Sequence, residues 1–110
     1  MSLSEKTCQP CRGEATALST TEIVPLLAQL DGWQCEDDKK IVKSFRFDNF
    51  QEALDLATKV GAIAQKENHH PDLIVRWGEL RVEIWTHASR GLTENDFILA
   101  AKIDRCASRN

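Results

Sequence analysis

The sequence predicts an α+β fold, a two-layer sandwich in which a four-stranded antiparallel sheet carries helices on one face, in the order helix-strand-strand-helix-strand-strand-helix. Three observations predict it. Apolar residues recur at helical spacing in three separate stretches, each behind a capping signal. Between these stretches lie two pairs of short strand-like runs, each pair joined by a tight turn. The strands therefore come as hairpins, without the repeated strand-helix-strand alternation that builds a fully parallel sheet. At 110 residues, 42% hydrophobic and 28% charged, the chain has the length for one core and the balance of a folded domain.

Residues 1 to 18 show no hydrophobic period and read as a loosely ordered leader ahead of a domain spanning 19–110. In "STTEIVPLLAQL" a Ser or Thr cap precedes Glu22, and Ile23, Leu26, Leu27 and Leu30 follow at helical spacing, with Pro25 tolerable only near the first turn. Gly32 stops that helix. Trp33 to Glu36 and Lys40 to Phe47 then form a hairpin around an acidic turn. The second helix opens on the capping pair Asn49 and Glu52 and carries one apolar stripe of Phe50, Ala53, Leu54, Ala57, Val60 and Ala64. It runs to about Glu67, because Pro71 cannot continue a helix and biases His70 away from helical dihedrals. Leu73 to Trp77 and Leu80 to Trp85 are the next strands, around Gly78, with His87 extending the Arg81, Glu83, Trp85 set. The last helix begins at the Thr93–Asp96 capping box and continues through Phe97, Ile98 and Ala101 toward Cys106.

Several function classes are excluded by composition. A net charge of -3 without a cluster of lysines and arginines offers no footprint for a nucleic-acid backbone. No apolar run has the length of a bilayer span, and "MSLSEKTCQPC" lacks the basic start and apolar stretch of a signal peptide, so a cytoplasmic protein is expected. Cys8, Cys11, Cys35 and Cys106 are then expected to be thiols. "CQPC" is half of a zinc site without a second pair, and it reads as part of a mobile arm.

All three histidines, His69, His70 and His87, fall within one short segment. Metal binding would need ligands converging on one point, whereas adjacent residues of a regular element diverge. Nucleophile activation would need a Ser or Cys in a recognisable setting, and Ser89 near His87 has no elbow motif around it. Acid/base transfer fits better, because imidazole titrates near neutrality and divergent rings can serve separate atoms of one planar molecule. Each residue also has a plain structural reading: His70 as a helix-ending residue, His87 at a sheet edge, Asp96 as a cap.

"ENHHPD", Trp77, "WTH" at 85–87 and "GLTENDF" at 91–97 together resemble the pterin-4a-carbinolamine dehydratase family. The family pattern is two histidines and a proline, an aromatic six positions on, a histidine ten further and an aspartate nine after that. His69, His70, Pro71, Trp77, His87 and Asp96 meet those intervals, and the resemblance covers about 20 to 105. It implies a lyase that removes water from a 4a-hydroxytetrahydropterin to give a quinonoid dihydropterin, in the recycling of the pterin used by an aromatic amino acid hydroxylase. By the same resemblance His69 and His87 transfer the protons, with the choice of acid and base open, and His70 chiefly holds the ring. Pro71 and Trp77 shape the pocket, and Asp96 either orients a side chain there or caps its helix. No organic cofactor or metal is implied. A homodimer or homotetramer is expected, and so is a functional link to the hydroxylase.

One position departs from the pattern. Where the family usually has a charged residue, often glutamate, four positions before the first histidine, this chain has Gln65, which can hydrogen-bond an imidazole but carries no charge. Asn68, aspartate in some relatives, also makes the site less acidic, and Glu67 lies nearby on a different helical face. The alternative reading is non-enzymatic, a dimerisation, transcription or assembly cofactor on the same fold. Such a role needs surfaces rather than histidines, and the retention of all three favours the enzyme.

Overall fold

The fold is described from a computed structural model over residues 2–9 and 17–108. Its elements are α1 (Thr20–Leu27), β1 (Gln34–Glu36), β2 (Lys40–Arg46), α2 (Phe50–Glu67), β3 (Asp72–Arg76), β4 (Glu79–Ile84) and α3 (Glu94–Ala107), with short 3-10 turns at Leu3–Glu5 and His87–Ser89. The sheet is antiparallel throughout, in the order β1-β2-β4-β3. This is the predicted two-layer arrangement. β4 lies at the centre, paired Lys43↔Val82 with β2 and Leu73↔Val82 with β3.

That register sorts the side chains by face. Leu80, Val82 and Ile84 are fully buried beneath Ala53, Leu56, Ala57 and Val60 of α2 and Phe97, Leu99, Ala100 and Ile103 of α3. The other face carries Glu36, Lys40, Glu79, Arg81 and Glu83 from the same strands. Lys40 reaches Glu83 at 2.8 Å and Arg81 reaches Glu83 at 2.8 Å, while Glu79 meets Arg46 at 3.4 Å. Those two cations hold the Glu83 carboxyl below the usual carboxylate range, the Arg81 bond acting most strongly.

Details differ from the sequence reading where local hydrogen bonds intervene. On α2 the buried stripe includes Leu56, while Phe50 and Leu54 stand on its flank, 45% and 40% exposed. The β2 ladder closes at Arg46, and Phe47 bonds instead to the Gly78 carbonyl at 2.9 Å. Asp37 and Asp38 supply the β1–β2 turn, both at positive φ as a type I′ turn requires. β4 stops at Ile84, because Thr86 pairs with Gly91 and turns the chain into the 3-10 turn that begins at His87. Pro25 occupies the sixth position of an α1 only eight residues long.

Within the leader, residues 2–9 lie against the domain. Leu3 and Cys8 are buried, Gln9 exchanges two hydrogen bonds with Asn95, and the Cys8 amide donates to Glu67 at 2.9 Å. Apolar contact with α3 orders what lacks a period of its own. Cys11, the second cysteine of "CQPC", lies outside the described residues, and Cys8, Cys35 and Cys106 are free thiols. No helix among the described residues is long and apolar enough to cross a membrane.

Candidate active site

The site begins at the C-terminus of α2. Asn68 takes the left-handed conformation at φ 53°, its amide reaching the Gln65 carbonyl at 3.3 Å while the His69 amide reaches the Ala64 carbonyl at 3.2 Å. This pair of bonds is a Schellman motif, and asparagine is the residue after glycine that accepts such a φ most easily. Its effect is directional. The chain leaves the helix axis at Asn68, so His69 turns inward, His70 turns outward, and Pro71 commits the chain to β3.

His69 is 8% exposed and its Nε2 lies 2.6 Å from Asp96 Oδ1. Asp96 is fully buried at the start of α3. Its second oxygen accepts from the Thr93 amide at 2.8 Å and from the Thr86 hydroxyl at 2.8 Å, and Thr86 and Thr93 share a further 2.8 Å bond. The cap and the histidine-orienting carboxylate are thus one group. With a carboxylate as its partner, Nε2 carries the proton, leaving Nδ1 as the ring's basic nitrogen.

His70 is exposed, its Nε2 3.0 Å from Gln65 Oε1. The departure at Gln65 therefore bears on His70 and not on His69, whose carboxylate partner comes from α3. Glu67 does not replace it, since its side chain turns away to Cys8 and to Lys102 at 3.7 Å. The Cys8 thiol, buried and beside Glu67, is pushed up to about 12, burial being the larger cause.

His87 arrives from the other side. It is exposed and stacks on Trp85, with ring centroids 4.6 Å apart and planes 3° from parallel. The three imidazoles line one cleft of about 340 Å³, together with Asn68, Pro71, Asp72, Trp85, Thr86 and Ala88. An open cleft with three rings, one locked by a buried carboxylate and one backed by a flat indole, can exchange protons with separate atoms of a planar guest. Among the described residues, no group of three or more His, Cys, Asp or Glu side chains is arranged as metal ligands.

Trp77 is not brought to this cleft. It sits in the β3–β4 turn, 73% exposed, at the far end of a strand whose five residues span roughly 16 Å at the usual rise. Asp96 likewise lies behind His69 rather than on the cleft wall, which makes it a positioning group within this chain. The sequence reading missed Trp85, Thr86 and Thr93 as site residues. Trp85 had a signal, being two positions before His87 in the same strand run, whereas the two threonines announce themselves only through their contact with Asp96.

The family model described as pterin 4 alpha carbinolamine dehydratase matches residues 16–106. A protein of Rickettsia canadensis, whose name assigns it by inference to pterin-4-alpha-carbinolamine dehydratase, is 53% identical over 103 residues, covering 93% of this chain and 94% of its own. A protein of Rubrobacter xylanophilus assigned in the same way is 47% identical over 103 residues, covering 94% and 96%. Among solved structures, the transcriptional coactivator/pterin dehydratase of Brucella melitensis superposes with a TM-score of 0.78 at 32% identity, covering 84% of this chain and 99% of that one.

Proposed function

The chain belongs to the pterin 4 alpha carbinolamine dehydratase family, and on that premise we propose that its histidine cleft dehydrates 4a-hydroxytetrahydropterin by acid/base catalysis. In this elimination the C4a–O bond breaks and the hydroxyl leaves as water after taking a proton. The N5–H proton is lost to a base, its electron pair forms C4a=N5, and the product is the quinonoid dihydropterin. No electrons leave the pair of molecules, so proton donors and acceptors suffice.

The observation that carries the reading is the meeting of all three imidazoles in one cleft, with His69 locked through Nε2 onto Asp96. A fixed tautomer leaves Nδ1 of His69 ready to accept a proton, and His87 supplies the second transfer from the facing wall. His70 and Pro71 border the ring between them. Trp85 gives His87 a fixed plane. Positioned groups of this kind contribute about 10²–10⁴-fold each.

The reaction links the protein to an aromatic amino acid hydroxylase in the cytoplasm, which would generate its substrate. A homodimer or homotetramer, in which Trp77 could reach a neighbouring copy's cleft, belongs to the same proposal. The coactivator role in the Brucella protein's name would call on surfaces alone, and the intact imidazole set favours catalysis here.

Stopped-flow absorbance of carbinolamine dehydration, with the substrate generated in situ, tests the proposal. Wild type should accelerate the reaction, and His69→Ala and His87→Ala should each lose about 10²-fold or more. Wild-type protein no faster than buffer would sink it.

A further inference from the structure

A second cleft of about 410 Å³ adjoins the first and shares its Trp85–His87 wall. Its remaining lining is Lys39, Lys40 and Arg90, with no carboxylate among the described lining residues. In a chain of net charge -3 this is a local reversal of sign. Lys40 is already engaged by Glu83 at 2.8 Å and Glu36 at 3.6 Å. Lys39 and Arg90, by contrast, have no ion pair among the described residues. Arg90 is also held at φ 54°, where glycine or asparagine would be less strained, so the guanidinium is placed at this wall against local preference.

Resting on the proposed dehydratase reading, we infer that this cleft binds an anionic group on the C6 substituent of the pterin, a phosphate or a carboxylate. The connectivity of the ring supplies the argument. The elimination acts at C4a and N5, and C6 is bonded directly to N5. A substituent on C6 therefore leaves the ring one bond from an atom that exchanges its proton with the histidine cleft. Passing over the shared Trp85–His87 wall, it meets Lys39 and Arg90. A guanidinium and an ammonium without an ion pair among the described residues suit a phosphate or carboxylate, which a neutral hydroxylated tail would not supply.

Equilibrium fluorescence titration at low salt tests this with stable 7,8-dihydropterins that carry a three-carbon C6 side chain, either with a terminal phosphate or without it. A third ligand ends in a glutamyl carboxylate, and tells which anion is preferred. The expected result is about tenfold tighter binding of at least one anionic ligand than of the neutral one. Arg90→Ala and Lys39→Ala should each pull that ratio down by about 3- to 5-fold, and added salt should do the same. Equal affinity for all three ligands, with the neutral pterin still bound and its carbinolamine still dehydrated, overturns the anionic tail and leaves the dehydratase reading intact. Substitutions that change all three affinities by one factor overturn it too. Failure of every pterin to bind, in protein that also fails to accelerate dehydration, removes both readings together.

Discussion

At Asp96 a single carboxylate does two jobs, accepting from the Thr93 amide as a helix cap and from His69 Nε2 as an orienting group. Asp96→Asn separates them. One amide oxygen can still cap, but the amide nitrogen would then face Nε2–H, donor against donor, and the ring should shift its proton to Nδ1. We expect a fall in kcat of about 10- to 100-fold with little change in KM, a changed pH–rate profile, and an imidazole ¹⁵N spectrum showing the other tautomer. Loss of stability should be about 1–3 kcal/mol. Retention of the wild-type tautomer would contradict the geometry. Cys8 offers a second residue-level prediction. With its thiol pushed up to about 12, the thiolate fraction at pH 8 is roughly 10³-fold below that of an ordinary cysteine, so alkylation followed by mass spectrometry should find Cys8 protected in folded protein. The linked stability has a definite sign: a raised thiol pKa stabilises below the unfolded value near 8.5, and that contribution is lost as pH climbs toward the folded value.

The elements that present the site depend on two left-handed turns, and these can be tested separately. Asn68→Gly relieves φ 53° and should leave stability within a few tenths of a kcal/mol, whereas Asn68→Val should cost about 1–2 kcal/mol and lower kcat by misdirecting His69. At Gly78, with φ 73° and a would-be Cβ only 3.0 Å from the Phe47 carbonyl oxygen, Gly78→Ala should cost about 1–2 kcal/mol in urea unfolding. Dehydration should be spared there, since the β3–β4 turn lies at the opposite end of the hairpin from the imidazoles. A Gly78→Ala protein that is stable but catalytically dead would show that this end of the hairpin does reach a site, as it would if Trp77 served a neighbouring copy.

For the molecule as a whole, the charged face of the sheet sets the acid limit. Glu83 is held low by Arg81 and Lys40, so it stabilises the fold above the unfolded carboxylate value and loses that contribution as pH falls through its lower folded value. Glu83→Gln should therefore cost about 1 kcal/mol in urea unfolding at pH 7, and the difference from wild type should shrink as pH falls below the unfolded carboxylate value and through the lower folded one. A pH-independent difference would mean that packing, not charge, is what Glu83 supplies. The N-terminal segment acts at this scale as well. Leu3 and Cys8 join the core, and Gln9 and Asn95 close over the junction of α2 and α3, next to the residues that aim His69.

The order of helices and strands, the four-stranded sheet and the neighbourhood of the histidines were all legible in the chain, because apolar periodicity, capping boxes and Pro71 act over a few residues. The family resemblance was legible for a related reason, since its motif is a set of intervals along the chain. Contacts across long intervals were not. That His69 finds Asp96, 27 residues away, and that Trp77 stands away from the cleft within one copy follow from the sheet register and from the angle at which α3 meets the end of α2. Those are set by packing of the shared core, in which each side chain's place depends on every neighbour. A local pattern can say that Asp96 caps a helix, but only the assembled layers decide what else that carboxylate touches.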